Sequence, residues 1–315
     1  MAVDSRCDFF SNFRTGREDI DGENMIVSAS YRTDIPAFYG DWFHKRLEIG
    51  HVTVKNPYGG AYYRISLEKD AVSGFVFWTK HAGPFLKALE EVSQRGFPFV
   101  VQHTITGYPA ILERSAPAPD IAIDGLRKIA RRYGTRVAVW RYDPIVLTDR
   151  TGFAWHEANF TRLARKLSSI TDEVVVSFAQ IYRKTERNLN IAAKQGGFTW
   201  FDPPIEQKQA FLIKLADIAA SHGMALKLCS QPEIVPPGQE NALAARCIDA
   251  ERLSDVAGSP IKARQKGTRP GCLCAESRDI GAYDSCPMGC VYCYAVSDRR
   301  RAQERYRNRE RDDAL

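Results

Sequence analysis

Five of the eight cysteines in this 315-residue sequence fall between Cys272 and Cys293, a density that asks for a chemical explanation. The tightest group is Cys286, Cys290 and Cys293, spaced C-x3-C-x2-C, with Tyr292 immediately before the third thiol. Cys272 and Cys274 form a C-x-C pair just upstream, and Cys229 and Cys247 precede them. Cys7 stands alone near the start. The first residues lack a basic-then-apolar signal pattern, so the expected compartment is the cytoplasm, where clustered thiols serve metals or redox chemistry rather than disulfides. A zinc site, an iron-sulfur cluster and a redox pair are the competing readings. Three thiolates favour a [4Fe-4S] cluster: it has four irons, so three protein ligands leave one iron open to an exogenous ligand. A structural zinc site takes four ligands. Cys229, Cys247, Cys272 and Cys274 make such a complete set, for a second cluster or a zinc ion. Against that, Cys229 ends an apolar run and Cys247 lies in AARCID, so both also read as small buried hydrophobes.

Other residues able to do chemistry follow apolar runs. Arg32, Thr33 and Asp34 come after MIVSAS, Thr79 and Lys80 close FVFWTK, and Arg141 and Asp143 flank Tyr142 in WRYDPIV. Alternate residues of a strand share a face, so Arg141 and Asp143 point into one cavity or form an ion pair at its rim. Lys80 reads as a contact for a carboxylate or phosphate, or as a cation leaving the core. His103, inside an apolar run, reads as a hydrogen-bonded core histidine rather than a ligand. Tyr31, Phe38, Tyr39, Trp42 and Phe43 have a spacing suited to helix packing. The Gly-Gly pairs at 59–60 and 196–197 lack the context of a phosphate-binding loop.

What must position these groups is a β/α alternation. MIVSAS (25–30), FVFWT (75–79), FVVQHTIT (99–106), RVAVWR (136–141), VVVSF (174–178) and MALKL (224–228) read as buried strands. Between them lie amphipathic stretches such as GPFLKALEEVSQRG, IDGLRKIARRYG and FTRLARKLSSI. Continuous apolar strands separated by helices predict a parallel sheet, either doubly wound or in a partial or closed barrel. The polar residues just past the strand ends favour the (β/α) barrel, where chemistry sits at that face. Residues 1–24 read as a leader, 25–229 as the barrel with a β-hairpin inserted at about 51–67, and 230–315 as a cysteine-rich segment ending in a charged helix. At 44% apolar and 11% aromatic the chain can bury a sizeable core. Its 44 basic and 38 acidic residues give +6, which permits a nucleic-acid partner without requiring one, and no apolar stretch is long enough to span a membrane.

The text CPMGCVYCY resembles the radical S-adenosylmethionine superfamily, whose motif is C-x3-C-x-aromatic-C on a loop after a barrel strand. The resemblance implies a [4Fe-4S] cluster on Cys286, Cys290 and Cys293 whose open iron is chelated by the amino and carboxylate groups of S-adenosylmethionine. It also implies Tyr292 beside the adenine, and reductive cleavage to a 5′-deoxyadenosyl radical with electrons from a flavodoxin or ferredoxin. The motif lies near the C-terminus here, whereas the superfamily carries it after the first strand; a circular permutation reconciles the two. SASYRTDIP then stands where the superfamily often has Gly-Gly-Glu, with Ser28, Ser30, Arg32 and Asp34 as alternative contacts for the cosubstrate. FWTK and WRYDPIV are similar to strand ends of the spore photoproduct lyase branch, which makes a nucleotide or nucleic-acid lesion the first substrate expected and Thr79, Lys80, Arg141 and Asp143 the candidates to contact it. From SASYRTDIPAFYG to SRDIGAYDSCPMGCVYCYA the chain resembles an uncharacterised bacterial family, domain of unknown function 1848. Two other classes compete. One is a zinc-stabilised nucleic-acid-binding protein, with Cys272, Cys274, Cys290 and Cys293 on one ion and the arginine-rich tail on phosphates; the other is a non-catalytic iron-sulfur electron carrier.

Overall fold

A computed structural model describes residues 24–57, 59–308 and 315. Cys7 and nearly all of the expected leader lie outside the described residues. The strands are β1 (Met25–Ala29), β2 (His51–Lys55), β3 (Tyr62–Ser66), β4 (Val72–Thr79), β5 (Phe99–Thr104), β6 (Ala138–Ile145), β7 (Glu173–Phe178), β8 (Ala225–Leu228) and β9 (Ser277–Asp279). β2 and β3 pair antiparallel as a separate ribbon. The other seven make one parallel sheet in the order β8-β7-β6-β5-β4-β1-β9. The fold is mixed α/β, and its strands neighbour one another in chain order from β1 to β8. The sheet ends at β8 and β9; a closed barrel needs those two paired, and no such pairing is found among the described strands.

Alternation within each strand sorts the sheet into two faces. One face carries Val27, Phe75, Phe77, Phe99 and Val101, packed on Phe43, Leu47, Phe85 and Leu89. It continues through Trp140, Tyr142, Val174 and Val176 against Phe160, Leu163, Leu212 and Leu215. The helices Gly40–Ile49, Leu86–Gln94, Pro119–Tyr133, Phe153–Leu167 and Ile205–Ser221 supply these partners through apolar residues three and four apart. Tyr39, Trp42 and Phe43 are core residues here, as their spacing suggests.

The opposite face is not covered by those helices. Ile26, Val76, Val100, Val139 and Val175 make its apolar floor, and the segment after β8 lies over it through Cys229, Cys247, Ile248, Leu253 and Cys274. Moving toward the strands' C-terminal ends, the same face becomes polar at Ser28, Gln102, Arg141 and Ser177. That gradient puts the polar side chains of this face at one rim, where open parallel sheets bind ligands.

The cysteine loop and its charged neighbours

The triplet is carried on a loop that leaves β9, and β9 is a strand only because β1 offers it an edge: Ile26, Val27 and Ser28 pair with Ser277, Arg278 and Asp279. Past the last pair, Asp279 anchors the junction. Its Oδ1 accepts from Ser30 Oγ at 2.7 Å, Arg32 Nε at 2.8 Å and Gly281 N at 2.9 Å, and its Oδ2 accepts from Ser28 Oγ at 2.9 Å and Tyr31 N at 3.1 Å. Arg32 Nη2 also donates to the Asp279 carbonyl at 3.0 Å. Thr33 Oγ1 donates to the Ala282 carbonyl at 2.8 Å, and Tyr39 OH to the Ser285 carbonyl at 2.7 Å. Gly281 is required by this closeness, since a Cβ there would lie 2.0 Å from Ser30 Oγ.

The loop's other side pairs with the chain that follows β5. Glu113 and Cys290 form an antiparallel bridge, Val291 N donates to the Leu112 carbonyl at 3.0 Å, and Ser115 N to the Met288 carbonyl at 3.1 Å. Held from both sides, the half-buried thiols of Cys286, Cys290 and Cys293 become electrostatic neighbours: Cys290 feels both of the others, and Cys286 feels Cys293. Burial is the main influence on all three and favours the neutral thiol. Cys286 is pushed up to about 12, and Cys290 is raised well above the usual thiol value although Lys80 opposes the rise. Such thiols become thiolates when a metal displaces the proton.

Beside Cys290 lies a buried charge pair. Lys80 Nζ donates to Glu113 Oε1 at 2.8 Å, and the same oxygen accepts from Thr106 Oγ1 at 2.6 Å and from Tyr292 OH. Lys80 Nζ sits 5.8 Å from the centre of the Tyr292 ring, whose other neighbour is Tyr108 at 6.0 Å. Burial alone would lower the Lys80 pKa, but Glu113, Cys290 and Asp34 outweigh it, so Lys80 stays cationic. Asp34 caps the short helix Ile35–Phe38 through Ala37 N at 3.0 Å and accepts from Lys80 N at 2.8 Å. Its pKa is raised to about 6, by burial first, against the hydrogen bonds from Lys80, Thr79 and Ala37.

The remaining candidates separate from this group. Arg141 Nε donates to Asp143 Oδ2 at 3.1 Å, so the two form the ion pair, while Arg141 Nη1 reaches Gln102 Oε1 at 3.2 Å and Cys247 Sγ at 2.9 Å. Thr79 and Lys80 therefore belong with the triplet, and Arg141 and Asp143 with the other thiols. Cys229 and Cys247 have their sulfurs 3.4 Å apart, and Cys274 and Cys272 continue the row. This grouping separates Cys272 and Cys274 from Cys290 and Cys293. Ser28, Ser30 and Arg32 are all engaged by Asp279. Among the described residues no group of three or more His, Cys, Asp or Glu side chains is arranged to hold a single metal ion.

Residues 26–295 match the family described as Domain of unknown function (DUF1848). The chain belongs to that family. Within DUF1848 the match runs from β1 past Cys293, so it takes in both groups of thiols. No curated protein matches the sequence. D-hydantoinase from a Bacillus sp. AR9 resembles 60% of this DUF1848 chain at 10% identity, and another D-hydantoinase 66% at 13% identity, each with a TM-score of 0.29. The chain spans only 37% and 43% of their lengths, and likenesses this faint carry no argument.

Two participants escape sequence reasoning. Glu113, in the unremarkable text ILERS, is 5% exposed and organises Lys80, Thr106 and Tyr292. Arg269, in a loop of alternating Lys, Arg and Gly, donates to Cys229 Sγ at 3.5 Å. No periodicity marks either, since each acts from a loop. His103 is core as expected, but neither ring nitrogen has a hydrogen-bond partner, and burial first, then Lys80, lowers its pKa to about 3.

Proposed function

We propose that this protein is an iron-sulfur enzyme of radical S-adenosylmethionine type, with Cys286, Cys290 and Cys293 as the protein ligands of a [4Fe-4S] cluster in a partial (β/α) barrel. The observation that carries the reading is three neighbouring thiols on one clamped loop, at the C-terminal rim of a parallel sheet, next to a buried Lys80–Glu113 pair. Thiolates that each hold a different iron need not converge on one point, unlike donors to a single ion, so this donor set fits a cluster with one iron left open. When bound and reduced, such a cluster cleaves S-adenosylmethionine to a 5′-deoxyadenosyl radical. The chain's own groups supply binding and orientation. The amino-acid end of S-adenosylmethionine is a zwitterion, and Lys80 and Glu113 offer one cation and one anion beside Cys290. Tyr292, held by its hydroxyl to Glu113 and against Tyr108 by its ring, presents an aromatic wall next to Cys293. A nucleotide or nucleic-acid lesion is the first substrate class to try.

Anaerobic reconstitution tests this. About four irons and sulfides are expected at the triplet, with an EPR signal that changes when S-adenosylmethionine is added and 5′-deoxyadenosine among the products. Both should vanish in Cys286→Ala/Cys290→Ala/Cys293→Ala. A protein that takes up no iron, or whose reduced cluster ignores S-adenosylmethionine, overturns the reading.

A further inference from the structure

Four cysteines outside the triplet come from three separate stretches of chain and meet on the apolar floor of the sheet. Cys229 follows β8, Cys247 follows the bridge between Leu228 and Ala244, and Cys272 and Cys274 precede β9. Cys229 Sγ and Cys247 Sγ are 3.4 Å apart. That is far beyond a disulfide bond of about 2.05 Å. It is close to the roughly 3.8 Å that separates two sulfurs each bound at about 2.3 Å to one tetrahedral ion. Cys247 in turn has Cys274 as a side-chain neighbour, and Cys274 has Cys272, so the four thiols lie in a row.

The cations around this row are a second, independent observation. Arg141 Nη1 donates to Cys247 Sγ at 2.9 Å, and Arg269 Nη2 to Cys229 Sγ at 3.5 Å. A neutral thiol is a weak acceptor and a poor partner for a buried guanidinium, whereas a metal-bound thiolate is anionic. Four thiolates on a divalent ion carry two surplus negative charges, and two guanidiniums face them; with the Asp143 carboxylate on the other edge of Arg141, the surround offsets one of those charges. Backbone groups complete the surround, with Ile248 N donating to Cys274 Sγ at 3.4 Å and Gln102 Nε2 holding the Cys247 carbonyl at 3.0 Å. Hydrogen bonds to ligand sulfurs and their backbone are what orient thiolates in metal sites.

We propose that Cys229, Cys247, Cys272 and Cys274 form a second metal centre, closed by four thiolates and structural in role. Metal binding draws the row of sulfurs around one centre. It thereby cross-links a stretch with little regular structure between β8 and β9, the stretch that delivers the triplet loop to β1. A zinc ion and a fully ligated iron-sulfur cluster share this chemistry, and counting metals distinguishes them.

The full chain is purified anaerobically, reconstituted with iron and sulfide, and analysed for zinc, iron and sulfide. One zinc, or about eight irons instead of four, is expected. In Cys286→Ser/Cys290→Ser/Cys293→Ser that zinc, or four of the irons, should remain, while Cys272→Ser, at the half-buried end of the row, should lose it and keep the triplet's iron. A parent protein with four irons and no zinc, all of whose iron is lost in Cys286→Ser/Cys290→Ser/Cys293→Ser, overturns the proposal, as does a Cys272→Ser protein with the parent's full metal content. The parent itself also decides by X-ray absorption, which needs no variant to fold: sulfur-only ligation of zinc supports the centre, and oxygen or nitrogen ligands refute it. Zinc without iron would leave this centre standing while sinking the proposed function, and four irons without zinc, all lost with the triplet, would do the reverse.

Discussion

Asp279→Asn is the substitution that most directly tests how the triplet loop is seated. The change keeps the shape and removes the charge. Oδ1 serves Ser30, Arg32 and Gly281, and Oδ2 serves Ser28 and Tyr31, so replacing either oxygen with an NH2 group strands at least two donors. Arg32 loses its anion while its side chain is only 7% exposed, with Asp279 at 2%. Removing one member of a buried ion pair costs about 3–5 kcal/mol, because the other charge stays desolvated. With a urea dependence of about 3 kcal/mol per M, the unfolding midpoint should fall by about 1–1.7 M. Tryptophan fluorescence in urea measures it, and iron retention after reconstitution should fall in parallel as the loop loosens. If the stranded cation is the cause, Asp279→Asn/Arg32→Met should be more stable than Asp279→Asn alone, a sign that a double-mutant cycle reads directly. A loss below about 1 kcal/mol, or a double variant weaker than the single one, would refute the reasoning.

Three further outcomes are expected. Gly281→Ala drives a methyl to 2.0 Å from Ser30 Oγ and should destabilise by about 1–3 kcal/mol, with Gly281→Ala/Ser30→Gly recovering part of the loss in the same urea titration. Glu113→Gln leaves Lys80 without its counter-ion in a buried site and should cost about 3 kcal/mol in a thermal or urea melt; Glu113→Leu/Lys80→Met should cost less than Glu113→Gln. Acidification should weaken the fold through its buried histidines. His103 is lowered to about 3 and His156 to about 4, both mainly by burial, so between those values and about 6.5 the unfolded chain binds the extra protons and stability falls as pH falls. Asp34, raised to about 6, acts in the opposite direction between about 4 and 6, leaving these three groups a net slope of about 1.4 kcal/mol per pH unit there. His103→Leu should flatten the acid limb of a stability-against-pH curve, and an unchanged limb would count against the buried neutral histidine.

The strands β1 and β4 to β8 are legible in the sequence because each is a short apolar run, and all but the edge strand β8 are largely buried on both faces. MIVSAS, FVFWT, FVVQHTIT, RVAVWR, VVVSF and MALKL all appear as strands, with boundaries shifted by a few residues. β9 was not legible: Ser277, Arg278 and Asp279 have no strand propensity, and the pairing partner that makes them a strand lies at the other end of the chain. The same non-local dependence governs the site. Thiol spacing identifies the two groups of cysteines, but which charges attend them depends on contacts across the fold. Lys80 meets the triplet through Glu113, and Arg141 faces the other thiols instead of joining Lys80. Strand-end position predicts that such groups reach the rim, and it does not predict which of two clusters each one serves.

The pairing of β1 with β9 also sets an order of events during biosynthesis. Ser28 and Asp279 are separated by 251 residues, so the flank of β1 beyond β4 stays uncovered until that much more chain has been made. Until β9 arrives, that flank is a row of unsatisfied backbone groups of the kind that invites pairing with another chain. Contacts of such long sequence separation form late and slowly. The loop that carries Cys286, Cys290 and Cys293 cannot be seated before that pairing forms, so a nascent chain stalled before β9 is open to aggregation along its first strand.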